Sequence, residues 1–426
     1  MNIKSLLLGS AAVLVAATGA RAADAIVIAE PEPVEYVRVC DTYGSGYFYI
    51  PGTETCMRIH GYVRGAVYAG DDVYAMSLRG VEQDTYSWMT RAHTRFSTAT
   101  ETELGTLRTY IDARFQWADG RDSGSSGTIR NAWIELGGFR MGMASTAFET
   151  WTGGYGTVYN DDILTQSGKR TNFISYTLSA DNGFSAMIGV EQGNRDSDAD
   201  RNTAGDVIPF AYNARPTAGG GNPTASLSVH NSFLIDDYAP HVVGGVKYEQ
   251  GWGGVSAVVA YDSVYEEWAG KVRVDVNATD DLSLFAMFGY KSGEDYGYVD
   301  TAYGVAGYNS VRNDWGVARA NNTAYGDWSG DWIVWAGGQY RFNEDQTSFN
   351  LQLSYDDWEN FAIVANVQHE IVSGLSLIAE LNYVDWGNGY GYRAFTDGLG
   401  NNHAGVRSSL SDKDAFGGQI VLTRSF

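Results

Sequence analysis

Proline is nearly absent, with 7 residues in 426, against 52 glycines. Cysteine occurs twice, and charged residues make up only 19%, below the usual quarter. Basic residues are scarce: 29 Lys and Arg against 51 Asp and Glu, a formal net charge of −22. That balance excludes nucleic acid as a partner, because phosphates need Lys and Arg. After residue 22 no apolar run reaches the ~20 residues of a spanning helix, so a membrane-embedded mature chain would have to be a closed barrel. What is present excludes disorder along most of the length despite the charge: 44% hydrophobic residues, with 28 Tyr, 17 Phe and 12 Trp. Polar, aromatic, Gly-rich and Pro-poor together point to a large antiparallel β structure.

Residues 1–22 read as a secretory signal. Lys4 supplies the basic start, residues 6–17 the apolar core, and Ala20-Arg21-Ala22 the cleavage site. Loss of this segment, which carries Lys4 and Arg21 and no acid, takes the charge from −22 to −24. Residues 23–56 form an N-terminal segment that begins Glu/Pro-rich (Glu30-Pro31-Glu32-Pro33) and ends at Cys56. In an exported chain Cys40 and Cys56 are expected to be oxidised to a disulfide outside the lipid-spanning wall. Two thiols with only His60 close by are too few ligands for a metal, and no cofactor is expected.

From residue 57 to 426 the period is two. Met57, Ile59, Val63 and Val67 alternate with Arg58, His60, Tyr62 and Arg64; Phe349, Leu351, Leu353 and Tyr355 alternate with Ser348, Asn350, Gln352 and Ser354. Sixteen such segments begin near Met57, Trp88, Thr106, Ile129, Phe139, Asn172, Phe184, His241, Val255, Ala269, Leu282, Trp332, Ser348, Phe361, Leu375 and Ala415, and every proline falls outside them. Tight turns near residues 104, 137, 182, 252, 280, 344 and 373 alternate with mostly long connections. This predicts an all-β, sixteen-stranded antiparallel transmembrane β-barrel with short periplasmic turns and long outer loops. Tyr248, Tyr340, Phe342, Phe349 and Phe426 then fall at periplasmic strand ends, and Tyr261, Tyr290, Tyr355, Phe361 and Tyr383 at outer ends, as two lipid-facing girdles.

The segment Val39-Cys40-Asp41-Thr42-Tyr43-Gly44-Ser45-Gly46-Tyr47-Phe48-Tyr49-Ile50-Pro51-Gly52-Thr53-Glu54-Thr55-Cys56, followed by Arg58-Ile59-His60-Gly61-Tyr62-Val63-Arg64, resembles the start of the alphaproteobacterial (Rhizobiales-type) porins. The resemblance runs to the last strand, through Gly417-Gly418-Gln419-Ile420. It implies a general-diffusion porin for small hydrophilic solutes and ions, a homotrimer in outer-membrane lipid and lipopolysaccharide, with an inward-folded third loop. The terminal Phe426 resembles the signal read by the barrel assembly machinery.

On that implication the third loop is 145–171, whose acids Glu149, Asp161 and Asp162 would line a constriction. The polar rows of the first three strands supply a basic wall: Arg58, Arg64, Arg91, Arg95, Arg108 and Arg114. Charges of opposite sign across a narrow lumen would set a transverse field; the same arginines could instead be ordinary lumen residues paired with Asp112 and Glu103. Of the six histidines, His60 and His93 face the lumen by parity, His230, His241 and His403 lie in or beside outer loops, and His369 is near a turn. No acidic orienter is evident beside His93, and no catalytic role is expected. Asp196, Asp198 and Asp200 mimic an EF-hand start but lack its glycine and final glutamate, which leaves a solvated acidic loop or a weak divalent-cation site. A substrate-specific sugar or anion channel, and a plugged adhesion or phage-receptor barrel, remain as alternatives.

Overall fold

In the computed structural model, sixteen antiparallel strands close into one barrel. The structure describes residues 38–74, 86–118, 126–154, 157–165, 169–194, 234–235, 238–293, 296–300, 315–319, 324–342, 346–389, 391–392, 395–396, 402–403, 406–407 and 412–426. The signal segment and the acidic stretch around Asp196 lie outside these residues. The barrel strands are β1 (Cys56–Gly70), β2 (Tyr86–Thr102), β3 (Gly105–Ala118), β4 (Ser126–Leu136), β5 (Phe139–Ser145), β6 (Arg170–Ser179), β7 (Phe184–Glu191) and β8 (His241–Gln250). They continue as β9 (Gly253–Asp262), β10 (Glu267–Asn277), β11 (Leu282–Lys291), β12 (Trp332–Phe342), β13 (Thr347–Asp356), β14 (Asn360–Val372), β15 (Leu375–Trp386) and β16 (Lys413–Ser425). Each of the sixteen expected segments has its strand.

Closure comes from β16 pairing with β1, Tyr62 opposite Ser425. The terminal Phe426 finishes the seam: its amide donates to Gly61 O and its carbonyl accepts from Gly61 N, both at 3.0 Å. β1 extends beyond this point, and the two-residue strand Phe48–Tyr49 pairs with Met57 and Cys56 along the edge that β16 leaves open. An uncovered edge of unpaired amides is a template for wrong pairing. The Cys40–Cys56 disulfide pins the cover, its Cα atoms 6.1 Å apart. Cys56 opens β1, so the bond is tied to the periplasmic end of that strand. The bridge spans a sequence separation of 16, for which the stabilisation is ~3 kcal/mol. Reduction should therefore expose 41–55 to protease while the barrel keeps its strand ladder. Equal digestion of oxidised and reduced protein in that segment would remove this role.

The wall is inverted relative to a soluble protein. Along β13, Asn350 and Gln352 are 0% and 3% exposed, while Phe349 and Tyr355 on the other face are 39% and 37% exposed. The apolar row faces lipid and the polar row is covered from inside. All ten aromatics expected in the two girdles lie on the outward row, where Tyr248, Tyr261 and Tyr340 are exposed. A bulge in β4 between the partners of Asp112 and Ala113 adds one residue, Arg130, to the strand.

Candidate functional site at the pore constriction

The cover of the polar row is the third loop, which folds into the lumen. Thr146 caps the short helix α1 (Ala147–Thr150), its hydroxyl accepting from Phe148 N at 3.2 Å. Glu191 of β7 holds this start, accepting from Thr146 Oγ1 at 2.7 Å and Ala147 N at 2.8 Å. From there the loop tracks the wall strand by strand. Trp151 packs against Gly245 of β8, where any Cβ would meet its ring at 2.4 Å. Lys247 Nζ sits 5.0 Å from the centroid of the same ring. Arg273 of β10 donates to Gly154 O, and Thr157 bonds Asn350 of β13.

At the tip, Glu380 of β15 accepts from the backbone amides of Tyr159 at 2.5 Å and Asn160 at 2.8 Å. The same carboxylate is held from below by Asn366 Nδ2 at 2.9 Å and Gln419 Nε2 at 2.6 Å. The Tyr159 hydroxyl lies 3.4 Å from that of Tyr68 on β1. The loop then returns along β13 and β12, where Gln352 Nε2 donates to Asp161 O at 2.9 Å and Trp335 Nε1 to Leu164 O at 3.0 Å.

Of the three expected acids, Asp161 feels the charges of the other two, Asp162 and Glu149, and that of Glu380 besides. Burial, and then Asp162, push its carboxyl well above the usual carboxylate range. Asp162 accepts from the Tyr74 hydroxyl at 2.8 Å. Glu380, a fourth acid that bonds two amides of the loop tip, carries a signal in the sequence: its place on the inward row of β15, in Glu380, Asn382 and Val384 parity.

The basic residues divide. Arg58 touches the disulfide segment near Gly46, and Arg108 is exposed by the turn after β2; both stand at the periplasmic end, away from the loop. Arg64 is already engaged, with its guanidinium 4.6 Å from the Tyr62 centroid and 4.8 Å from that of Tyr159. Arg91 donates to Gln116 Oε1 through Nε at 2.8 Å and Nη2 at 2.6 Å. Arg95 Nε donates to Asp112 Oδ2 at 3.1 Å. Arg114 feels Arg130, Arg91 and Arg170, so positive charge from β4 and β6 reaches it as well as that from β2. The bulge in β4 brings Arg130 into the row, a register change that alternation does not reveal.

His93 does have an acidic neighbour, contrary to the expectation: its Nδ1 lies 3.0 Å from Asp112 Oδ1. The partner comes from the next strand, where Asp112 is diagonal to His93 across the β2–β3 register. His241 likewise lies 3.2 Å from Asp262. The backbone amide of Ser263 donates to His241 Nδ1 at 3.1 Å.

A second inward segment lies just before β12. Tyr325 and Trp328 pack against Phe148, at 5.4 and 6.4 Å between ring centroids. Tyr325 donates to Glu191 Oε2 at 2.8 Å, and Lys291 Nζ donates to Trp328 O at 2.7 Å. This segment props the third loop from the outer side.

Residues 24–419 match the family described as the porin subfamily. The chain is 43% identical over 435 aligned residues to the protein named porin Omp2b of Brucella neotomae, and equally to that of Brucella abortus, with each chain covered completely. Among solved structures it is similar to the outer membrane channel DcaP of Acinetobacter baumannii, with TM-score 0.55 and 15% identity over 89% of this chain and 99% of the other. That likeness carries the fold alone. With full-length relatives, a closed sixteen-stranded barrel and a loop folded into its lumen, the chain belongs to the porin subfamily and is an outer-membrane porin, a diffusion channel of the bacterial outer membrane.

Proposed function

We propose that small hydrophilic solutes and ions pass through an eyelet bounded by Glu149, Asp161 and Asp162 on one side and Arg91, Arg95 and Arg114 on the other. The observation that supports it is the path of the third loop: its described contacts run along β8 to β15 and end at β1, leaving the arginines of β2 to β4 facing the gap. Opposed fixed charges across an aqueous gap select by charge and diameter. The mature charge of −24 raises cation concentration at the mouths, but salt screens it beyond ~10 Å at 0.1 M. The eyelet pairs are closer and persist. The channel is weakly cation-preferring, its histidines structure the wall, and it works as a homotrimer in contact with lipopolysaccharide, inserted by the assembly machinery through the strand ending in Phe426. Membership of the porin family supports this reading of the trimer and its partners.

Reversal potential under a salt gradient tests the eyelet. The Glu149→Gln/Asp161→Asn/Asp162→Asn protein should shift toward anions, and Arg91→Gln/Arg95→Gln toward cations, with both shifts surviving a tenfold rise in salt. Acidification has a defined sign. Because the Asp161 carboxyl is pushed up, it loses its charge at higher pH than an ordinary carboxylate as pH falls. Cation preference should decline from that higher pH in the native porin, and Asp161→Asn should abolish this early step. If neither multiple variant moves the reversal potential, these charges do not set selectivity and the eyelet is misplaced.

A further inference from the structure

We infer that the lumen wall between Tyr62 and Trp133 is a subsite for planar aromatic carboxylates of benzoate size. The inference rests on reading this wall as the open side of the eyelet. Two ring pairs bridge neighbouring strands on the inward row. Tyr62 and His93 stack at 4.7 Å and 13° between planes, and Tyr110 and Trp133 at 5.4 Å and 26°. Tyr62 is opposite His93, and Tyr110 is opposite Ser97, four residues further along β2. At ~3.3 Å per residue the two stacks are about 13 Å apart along the wall.

Arg95 stands between them. Its guanidinium lies 5.7 Å from the Tyr62 centroid and its charge is felt at Tyr110. Only Nε is taken up, by Asp112. Nη1 and Nη2 have no protein partner among the described residues, and the side chain is 31% exposed. Arg91 lies on the other side of His93, with two nitrogens held by Gln116 and Nη1 without a partner among the described residues. A guanidinium fixed by one edge and offering the other is arranged in advance for a carboxylate. Tyr62 is covered by His93 and Arg64, and Trp133 by Tyr110 and Arg140, so a flat aromatic body would stack on the β2 side of Tyr110, above Ser97, with Trp133 backing the ring. Asp112 opposes, but it is shared between Arg95 and His93, and Arg91 and Arg114 keep the row positive. At the lower stack Glu135 is paired with Arg140, which itself lies 4.3 Å from the Trp133 ring centroid. Neutral sugars would use the rings but leave the guanidinium edge unmatched.

The test is single-channel recording of the intact, oxidised porin in planar bilayers with benzoate, cyclohexanecarboxylate or methyl glucoside. Benzoate should produce concentration-dependent brief closures. Cyclohexanecarboxylate, of the same charge and similar size but puckered, should need about tenfold more. Arg95→Gln and Trp133→Leu should each bring that ratio close to one; Tyr110→Leu is the alternative should either fail to insert. The ratio is taken within each variant, so altered open conductance does not enter it. Equal block by the two acids in the native porin, a ratio that survives the variants, or glucoside block as strong as benzoate would each overturn the subsite. Eyelet variants that move the reversal potential without any benzoate discrimination would overturn the subsite alone and leave the constriction standing.

Discussion

Glu380→Leu should give a larger, noisier single-channel conductance from a barrel that still folds. Glu380 joins the third loop to β14, β15 and β16 through hydrogen bonds with Tyr159 N, Asn160 N, Asn366 and Gln419. A hydrogen bond to a charged group contributes ~1.5–3 kcal/mol, and two of these hold the loop backbone directly. The tip should therefore lose roughly 3 kcal/mol or more of docking free energy. The barrel itself should lose less, because Leu also removes the cost of burying a carboxylate. Glu380→Gln, which keeps the shape and one acceptor oxygen, should fall between. Limited proteolysis provides a second reading: cleavage at 157–162 should appear in Glu380→Leu and be absent from the native porin. Native conductance together with native protection would show that the loop is held by its other contacts, and that the clamp is misassigned.

Arginine at two adjacent positions of β13 should fail in different ways. Leu351 lies on the lipid-facing row, opposite Gly338 and Ala365. There Arg costs ~2–4 kcal/mol near the midplane, so the refolding yield of Leu351→Arg should fall. Gln352 points inward. Alternation alone places it in open water, but the structure places it under the third loop, 3% exposed and donating to Asp161 O. Gln352→Arg should therefore insert well and change the channel instead, since the new cation meets Asp161 and Asp162. Equal refolding yields for the two would refute the assignment of the inward and outward rows.

The two variants separate what was legible from what was not. Leu351 could be assigned from residues 348–355 alone, because facing in a strand follows the period of two and lipid demands an apolar row. The environment of Gln352 could not, because Asp161 is 191 residues away. The same distinction applies to His93. Its neighbour Asp112 belongs to the adjacent strand and is reached by pairing through the turn near Leu104, which the same-strand neighbours of His93 do not show. Of the arginines, Arg91 and Arg95 bond Gln116 and Asp112 of the neighbouring strand. Arg64 is sandwiched by Tyr62 and Tyr159, and Arg58 and Arg108 lie at the rim.

The sequence by itself determined the sixteen strands, the faces they turn to lipid and lumen, the sites of the tight turns, and the closing aromatic at Phe426. These follow from local rules: a two-residue side-chain period, glycine-rich turns, and the need to pair every backbone amide in lipid. Only the tertiary structure decided how the lumen is filled. The clamp of Tyr159 on Glu380 joins residues 221 apart, and the prop of Tyr325 on Glu191 joins residues 134 apart. No periodicity encodes such contacts, because a loop inside a closed barrel can reach many strands, and its resting place is chosen by individual hydrogen bonds and ring contacts.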